Sequence, residues 1–299
     1  MGIKESGATM GDFDDYLRVC EAAVRAGGQV VQDWAGRFDV RKKGPADLVT
    51  QADFASQEVV RKTVLAAFPE HSLLGEEAGD CPNFRARENG TVPFAAAAEA
   101  PRMAAARTEY RWIVDPLDGT TNYVHGVPHY CVSLALERNG RLLVGAVYDP
   151  ILDECFTAID GRGARLNGRP IHVSGVSALS EALAAVGFPP RPQPDGPDVR
   201  VFLKMLSRCQ AIRRSGSSAL NLCYLAAGRF DLYWSYSTRI WDVAAGVLIV
   251  REAGGRVTSP NGGEFSLEEA HFLAAATPDL HARLLEIAQA SDAIGEKNG

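Results

Sequence analysis

No stretch of this chain is apolar for long enough to cross a bilayer, and its opening Met1-Gly2-Ile3-Lys4-Glu5-Ser6 lacks the apolar core of a secretory signal. The expectation is a cytoplasmic protein with no membrane partner. A basic face is missing too: the formal net charge is −6 and Lys and Arg are scattered, which argues against nucleic acid. An anionic ligand would therefore have to be recruited by cations. The six cysteines stand far apart without a CxxC pair, so zinc and redox sites are disfavoured and they read as reduced core residues. HExxH and Walker A sequences are absent. Ser215-Gly216-Ser217-Ser218 lacks the pattern of a nucleophile elbow, and Gly161-Arg162-Gly163-Ala164-Arg165-Leu166 has Leu where a dinucleotide loop needs its third Gly. There is no internal repeat.

What is present is a globular chain of 299 residues, 46% hydrophobic, able to bury one large core or two abutting lobes. Phe13, Leu17, Cys20 and Val24, then Gly27-Gly28, predict an amphipathic first helix. Phe54, Val59, Val64 and Leu65 predict a second that Pro69 closes, with Arg41 to Pro45 as a polar loop between them. Tyr130 to Leu136 and Leu142 to Val147, joined by Asn139-Gly140, predict a hairpin with a type I′ turn. A proline-rich stretch, Pro189 to Pro197, precedes a second half with helices near Val199 to Cys209, Ala219 to Ala227 and Trp241 to Ala253, and a last one after Pro278. Strands and helices in blocks indicate α/β or layered α+β. The Ala-rich segment 85–108 reads as an insertion, either a surface element or a flap over the site.

The most informative run is Trp112-Ile113-Val114-Asp115-Pro116-Leu117-Asp118-Gly119-Thr120-Thr121-Asn122. A buried strand does not need two carboxylates at its end, and Asp115 and Asp118 would repel each other without a cation between them. Gly119 and Thr120 add backbone N–H groups and a hydroxyl, the usual means by which a helix start holds phosphate. Further acids occupy similar settings. Glu76 follows the strand-like Ser72-Leu73-Leu74, Asp53 lies near Asp47, and Asp242 follows Trp241 at the head of an apolar helix. Taken singly, Asp53 and Asp242 read equally well as helix N-caps and Glu77 as a solvated charge. His125 and His129 read as hydrogen-bonded structural residues.

Two carboxylates in one turn need more oxygen ligands to complete a magnesium site, and hard oxygen donors favour magnesium or manganese over zinc. Glu76, Asp115, Asp118 and Asp242 carry a formal charge of about −4 and a phosphate dianion adds about −2, so two or three divalent ions would neutralise the set. Such ions would activate water and steady the leaving oxygen without a covalent intermediate. The haloacid-dehalogenase mechanism is set aside because Pro116 stands where its nucleophilic Asp belongs.

The combination of Asp115 to Asn122, Glu76 in Gly75-Glu76-Glu77, and Trp241-Asp242-Val243-Ala244-Ala245-Gly246 closely resembles the inositol monophosphatase family of lithium-sensitive, magnesium-dependent phosphatases. Supporting segments are Asp47 to Asp53, Gly145 to Pro150, Leu166 to Ile171 and Arg214 to Leu220, so the resemblance runs from about Phe13 to the last helix. It implies a five-layer α-β-α-β-α sandwich, a metal- and phosphate-binding lobe over 12–174, a C-terminal lobe over 175–290, and a homodimer. It implies that Glu76, Asp115 and the Leu117 carbonyl hold one magnesium, and that Asp115, Asp118 and Asp242 hold a second. Manganese is a possible substitute. It further implies that Thr120 and Asp53 orient and deprotonate the attacking water, that Gly119 and Thr120 amides cradle the phosphate, and that Lys42 lies near a third, weaker ion beside Glu76.

Branches that cleave adenosine bisphosphate or histidinol phosphate carry Lys or Arg near Thr121, which this chain does not, and that favours inositol monophosphate as substrate. One departure stands out. Ser235 occupies the position, seven residues before Asp242, where inositol-specific members have a Glu that bonds the sugar. A neutral hydroxyl leaves fructose 1,6-bisphosphate or a range of sugar phosphates as an alternative. A protein-binding role with the transcription machinery, known for some bacterial relatives, is the alternative of another class.

Overall fold

The computed structural model describes residues 10–44, 47–77, 79–80 and 109–295. The expected insertion 85–108 and Cys81 lie outside the described residues. Helix α1 (Met10–Trp34) continues through Gly27-Gly28 because close neighbours require glycine there. A Cβ on Gly27 would stand 2.9 Å from Ser56 Oγ, and one on Gly28 2.5 Å from the Tyr148 ring. Where a polar loop was expected, β1 (Val40–Gly44) pairs with β2 (Asp47–Thr50). Backbone pairing needs no apolar side chains, so the pattern of hydrophobic residues does not reveal it. Helix α2 (Gln51–Ala67) starts at its N-cap Thr50 and stops before Pro69, which cannot continue a helix.

The first sheet contains β3 (Ser72–Gly75), β4 (Gly79–Asp80), β5 (Tyr110–Asp118), β6 (Cys131–Arg138), β7 (Arg141–Asp149), β8 (Glu154–Ile159), β9 (Ala164–Leu166) and β10 (Arg169–Ile171). Its order is β10-β9-β8-β7-β6-β5-β3-β4. The short helix α3 (Thr120–Val124) follows β5. Asn139 and Gly140 both have positive φ, 52° and 84°, as a type I′ turn requires. The second sheet, in order β12-β11-β13-β15-β14, contains β11 (Leu183–Gly187), β12 (Ala211–Arg213), β13 (Leu232–Ser235), β14 (Arg256–Thr258) and β15 (Phe272–Ala275). With it come α4 (Pro197–Met205), α5 (Ser218–Ala226), α6 (Ile240–Glu252) and α7 (Pro278–Gly295). The chain changes sheet between Ile171 and Leu183, so the proline-rich stretch lies inside the second half and does not open it.

Strand alternation sorts the core into layers. Trp112, Val114, Leu134 and Leu136 face one way and pack with α1 and α2 residues such as Cys20, Val24 and Val60. Ile113, Ala135 and Val147 face the other way and pack with α5 and α6, whose far side meets Tyr233, Phe272 and Ala274 of the second sheet. Leu232, Trp234, Leu273 and Ala275 cover that sheet's outer face together with Val201 and Met205 of α4 and Leu280 and Leu284 of α7. The fold is thus a layered sandwich of helices, sheet, helices, sheet and helices. Val243 to Val250 of α6 are buried without interruption because both of its sides face a sheet. Among the described residues no helix is long and apolar enough to cross a membrane. The five described cysteines are free thiols.

Candidate functional site

A break in strand register brings the first two acids together. In β5, Asp115 pairs with Ser133 but Asp118 pairs with Cys131, so three steps on one strand match two on the other. In a regular strand, residues three apart point to opposite faces. One extra residue turns Asp118 back to the side of Asp115. Pro116 is tolerated at such a bulge because it has no N–H for the ladder. Its carbonyl accepts the Ser56 hydroxyl at 2.8 Å, and Leu117 buries its side chain among α1 and α2. The Leu117 amide donates to Asp115 Oδ1 at 3.0 Å.

Asp118 also joins the first sheet to the central helices. Its Oδ2 accepts Ser217 Oγ at 2.6 Å and the Ala219 amide at 2.7 Å, at the start of α5. Burial raises its pKa, whereas these hydrogen bonds at a helix N-terminus favour the charged form and limit the rise to about 6.

Asp53 and Asp242 do not cap their helices as N-cap residues. Each sits at the third helical position and reaches back to the residue before the helix. Asp53 Oδ2 accepts both the Thr50 amide, at 2.8 Å, and the Thr50 hydroxyl, at 2.7 Å. Its other oxygen, Oδ1, lies 3.1 Å from Thr120 Oγ1, which is also 2.9 Å from the Leu117 carbonyl. Asp242 Oδ2 accepts the Arg239 amide at 2.7 Å. Capping-box geometry thus occupies one oxygen of each acid with the backbone.

Parallel pairing of β3 with β5 sets Gly75 beside Val114, so Glu76 emerges next to Asp115 and its amide donates to the Val114 carbonyl. Lys43 Nζ reaches Glu76 Oε1 at 2.5 Å and Glu77 Oε1 at 2.7 Å. Lys42, the lysine expected near the site, pairs with Leu48 in the hairpin and is exposed. The register slips between Lys42 and Gly44, and that bulge gives Lys43 the inward direction. Sequence alternation cannot show this slip, and nothing in the sequence distinguishes Lys43 from Lys42. Glu77, which reads from sequence as a solvated charge, is buried, and burial together with Glu76 raises its pKa to about 8.

The acids converge, as their mutual electrostatics show. Burial, then the charges of Glu76, Asp118 and Asp242, push the Asp115 carboxyl well above its ordinary range. Asp242 is pushed up in the same way by burial, Asp118 and Glu76. Among the described residues no three His, Cys, Asp or Glu side chains already close round one ion position, and the Lys43 ammonium takes up Glu76. The donor chemistry nevertheless fits hard divalent cations: the donors are all oxygen, and the carboxylates oppose one another's ionisation in the absence of positive charge.

A cavity of about 470 Å³ opens beside these groups, bordered by Asp118, Gly119, Thr120, Arg214, Ser218 and Tyr233 among others. Gly119 has φ +97°, and a Cβ there would lie 2.9 Å from the His129 carbonyl, so only glycine fits. Asn122 of α3 donates to the Ser215 carbonyl at 2.8 Å and fixes the loop on the far side. Ser235 is fully buried, accepts the Ser237 amide at 3.4 Å, and does not border the cavity. Tyr233 and Arg214 do border it; Tyr233 carries no signal in the sequence, and Arg214 only that of opening the segment Arg214 to Leu220.

Residues 12–293 match the family described as the inositol monophosphatase family. A Pseudomonas aeruginosa protein named Nus factor SuhB is 38% identical over 277 residues, covering 91% of this chain and 95% of the relative. A Rhizobium meliloti inositol-1-monophosphatase is 38% identical over 251 residues, covering 83% and 86%. The solved inositol monophosphatase from Anabaena superposes with a TM-score of 0.76 at 36% identity, covering 92% of this chain and 96% of that one.

Proposed function

The chain belongs to the inositol monophosphatase family, and from that premise we propose that it hydrolyses small phosphomonoesters, inositol monophosphate among them, with water as nucleophile and magnesium as cofactor. The reaction class, phosphoric monoester hydrolysis, is that of the family. The observation that supports the reading best is the convergence of Glu76, Asp115, Asp118 and Asp242, remote in sequence, whose charges press on one another in a buried place. Glu76, Asp115, the Leu117 carbonyl, Asp118 and Asp242 would hold the ions, which when bound offset the phosphate charge and acidify water.

The chain's own residues do the remaining work. Asp53 has one oxygen engaged by Thr50, which leaves Oδ1 to take the hydrogen of Thr120 Oγ1. When Thr120 donates to Asp53, its lone pairs are free to accept from water, and the proton can pass through Thr120 to the carboxylate. Burial raises the Asp53 pKa to about 6, which suits a base working near neutral pH. The Gly119 and Thr120 amides, at the turn into α3, supply donors for phosphate oxygens. Lys43 bridges Glu76 and Glu77 and offsets one of their two negative charges.

The direct test is phosphate release from inositol 1-phosphate with magnesium and with a chelator. Magnesium-dependent turnover that lithium suppresses supports the reading, and turnover indifferent to chelation overturns it. A second substrate reading, a sugar bisphosphate such as fructose 1,6-bisphosphate, rests on the lack of a charged acceptor at Ser235, which is neutral, buried and set back from the cavity. A protein-binding role with the transcription machinery rests on the relatives named Nus factor. The retained acidic set argues that any such role accompanies catalysis.

A further inference from the structure

The cavity beside the acids carries two polar groups that phosphate hydrolysis itself does not employ. Arg214 borders it with its guanidinium carbon 5.4 Å from the Phe188 ring centroid, a stacked position. Arg214 is exposed to the cavity, and among the described residues no carboxylate pairs with it, so its charge is available to a ligand. The second group is Tyr233, fully buried on β13. Its hydroxyl has no hydrogen-bond partner in good geometry, although Ser218 and Asn221 are near it. Burial raises its pKa, so the phenol keeps its proton and acts as a donor.

An unpartnered buried hydroxyl costs stability unless a ligand or water uses it. The backbone beside the arginine is fixed, because Asn122 donates to the neighbouring Ser215 carbonyl, and the Phe188 ring lies against the guanidinium. Gly187 keeps the wall thin at this point. A Cβ there would lie 3.0 Å from the Tyr233 hydroxyl and 2.7 Å from Ser235 Oγ, closing the approach.

We propose that Arg214 and Tyr233 form a subsite for a second anionic group, a phosphate or carboxylate, on the alcohol that the enzyme releases, which makes them specificity-determining residues. This rests on the phosphatase reading and narrows it to phosphomonoesters bearing a second negative charge. A guanidinium supplies charge and forked donors, and the phenol supplies one more hydrogen bond. The cavity volume suits a hexose-sized polyol with such a group.

The test compares fructose 1,6-bisphosphate with inositol 1-phosphate by kcat/KM, with magnesium, in the wild type and in Arg214→Ala, Arg214→Lys and Tyr233→Phe. The wild type should favour the doubly anionic ester, mainly through KM. Arg214→Ala should lower the ratio of the two kcat/KM values about tenfold or more, the scale of one charge-assisted hydrogen bond. Tyr233→Phe should lower it by a smaller factor, Arg214→Lys should restore part of it, and the wild-type preference should shrink as ionic strength rises. Equal use of both esters by the wild type, or a ratio unmoved by Arg214→Ala, overturns the subsite while leaving the phosphatase reading intact. No turnover of either ester overturns both.

Discussion

At the residue scale, the acids gain their character from being forced together, and each substitution reads differently in activity and in stability. Asp115→Asn removes the carboxylate on which Glu76, Asp118 and Asp242 all press. Magnesium-dependent turnover should fall below detection. The melting temperature of the metal-free protein should hold or rise, since a repulsive buried charge has gone and the amide oxygen can still accept the Leu117 N–H. Phosphate release and calorimetry on the same preparation check both halves. Lys43→Gln should act in the opposite sense. It strips the cation from Glu76 and from buried Glu77, so the chelated protein should lose about 3 kcal/mol, the scale of a broken buried ion pair. Magnesium should recover part of that loss, read as a larger shift in melting temperature on adding the ion than in the wild type.

The element scale shows where sequence reading succeeds and where it stops. Helices α1, α2, α5 and α6 and the β6–β7 hairpin are legible because apolar spacing, Pro69 and Asn139-Gly140 mark them. Strands β11, β13 and β15 are not legible: they are four or five residues long and buried on both faces, so Leu232-Tyr233-Trp234 gives no alternation to read. The acids themselves stand out as residue types in apolar company. Their orientation does not, because two bulges set it, one re-aiming Asp118 and one presenting Lys43 instead of Lys42. Contact between elements is equally invisible from sequence. Gly246 of α6 shows this: a Cβ there would lie 2.6 Å from Leu222 Cδ1 and 2.7 Å from Leu222 Cβ on α5. Gly246→Ala should therefore cost about 1–3 kcal/mol through overpacking. Urea titration should show a lower midpoint at an unchanged slope.

At the scale of the whole molecule, a buried histidine ties the outermost helix to the second sheet and makes stability depend on pH. His281 of α7 lies 2.9 Å from Thr258 Oγ1 at the end of β14, and burial, with help from Arg256, lowers its pKa from 6.5 to about 4. At this residue the unfolded chain therefore binds more protons than the folded one between those two values, so the His281 contribution to stability falls as pH drops from about 6.5 towards 4, opposite to the trend set by the raised acids Asp53, Asp118 and Glu77. The stability difference between the wild type and His281→Gln should therefore change by about 3 kcal/mol across that window, to the disadvantage of the wild type at the acid end. Denaturant midpoints measured from pH 7 to pH 4 on both proteins provide the check.

Val243 to Val250 of helix α6 have no side that water can wet, and part of their shelter is made by strands that are translated after them: β14 and β15 follow Glu252 in the chain. A ribosome that has released α6 but not yet Ala275 holds a greasy segment whose second wall still lacks two of its five strands. Truncations ending before β15 should consequently be sticky and dependent on chaperones, however well the first sheet has formed.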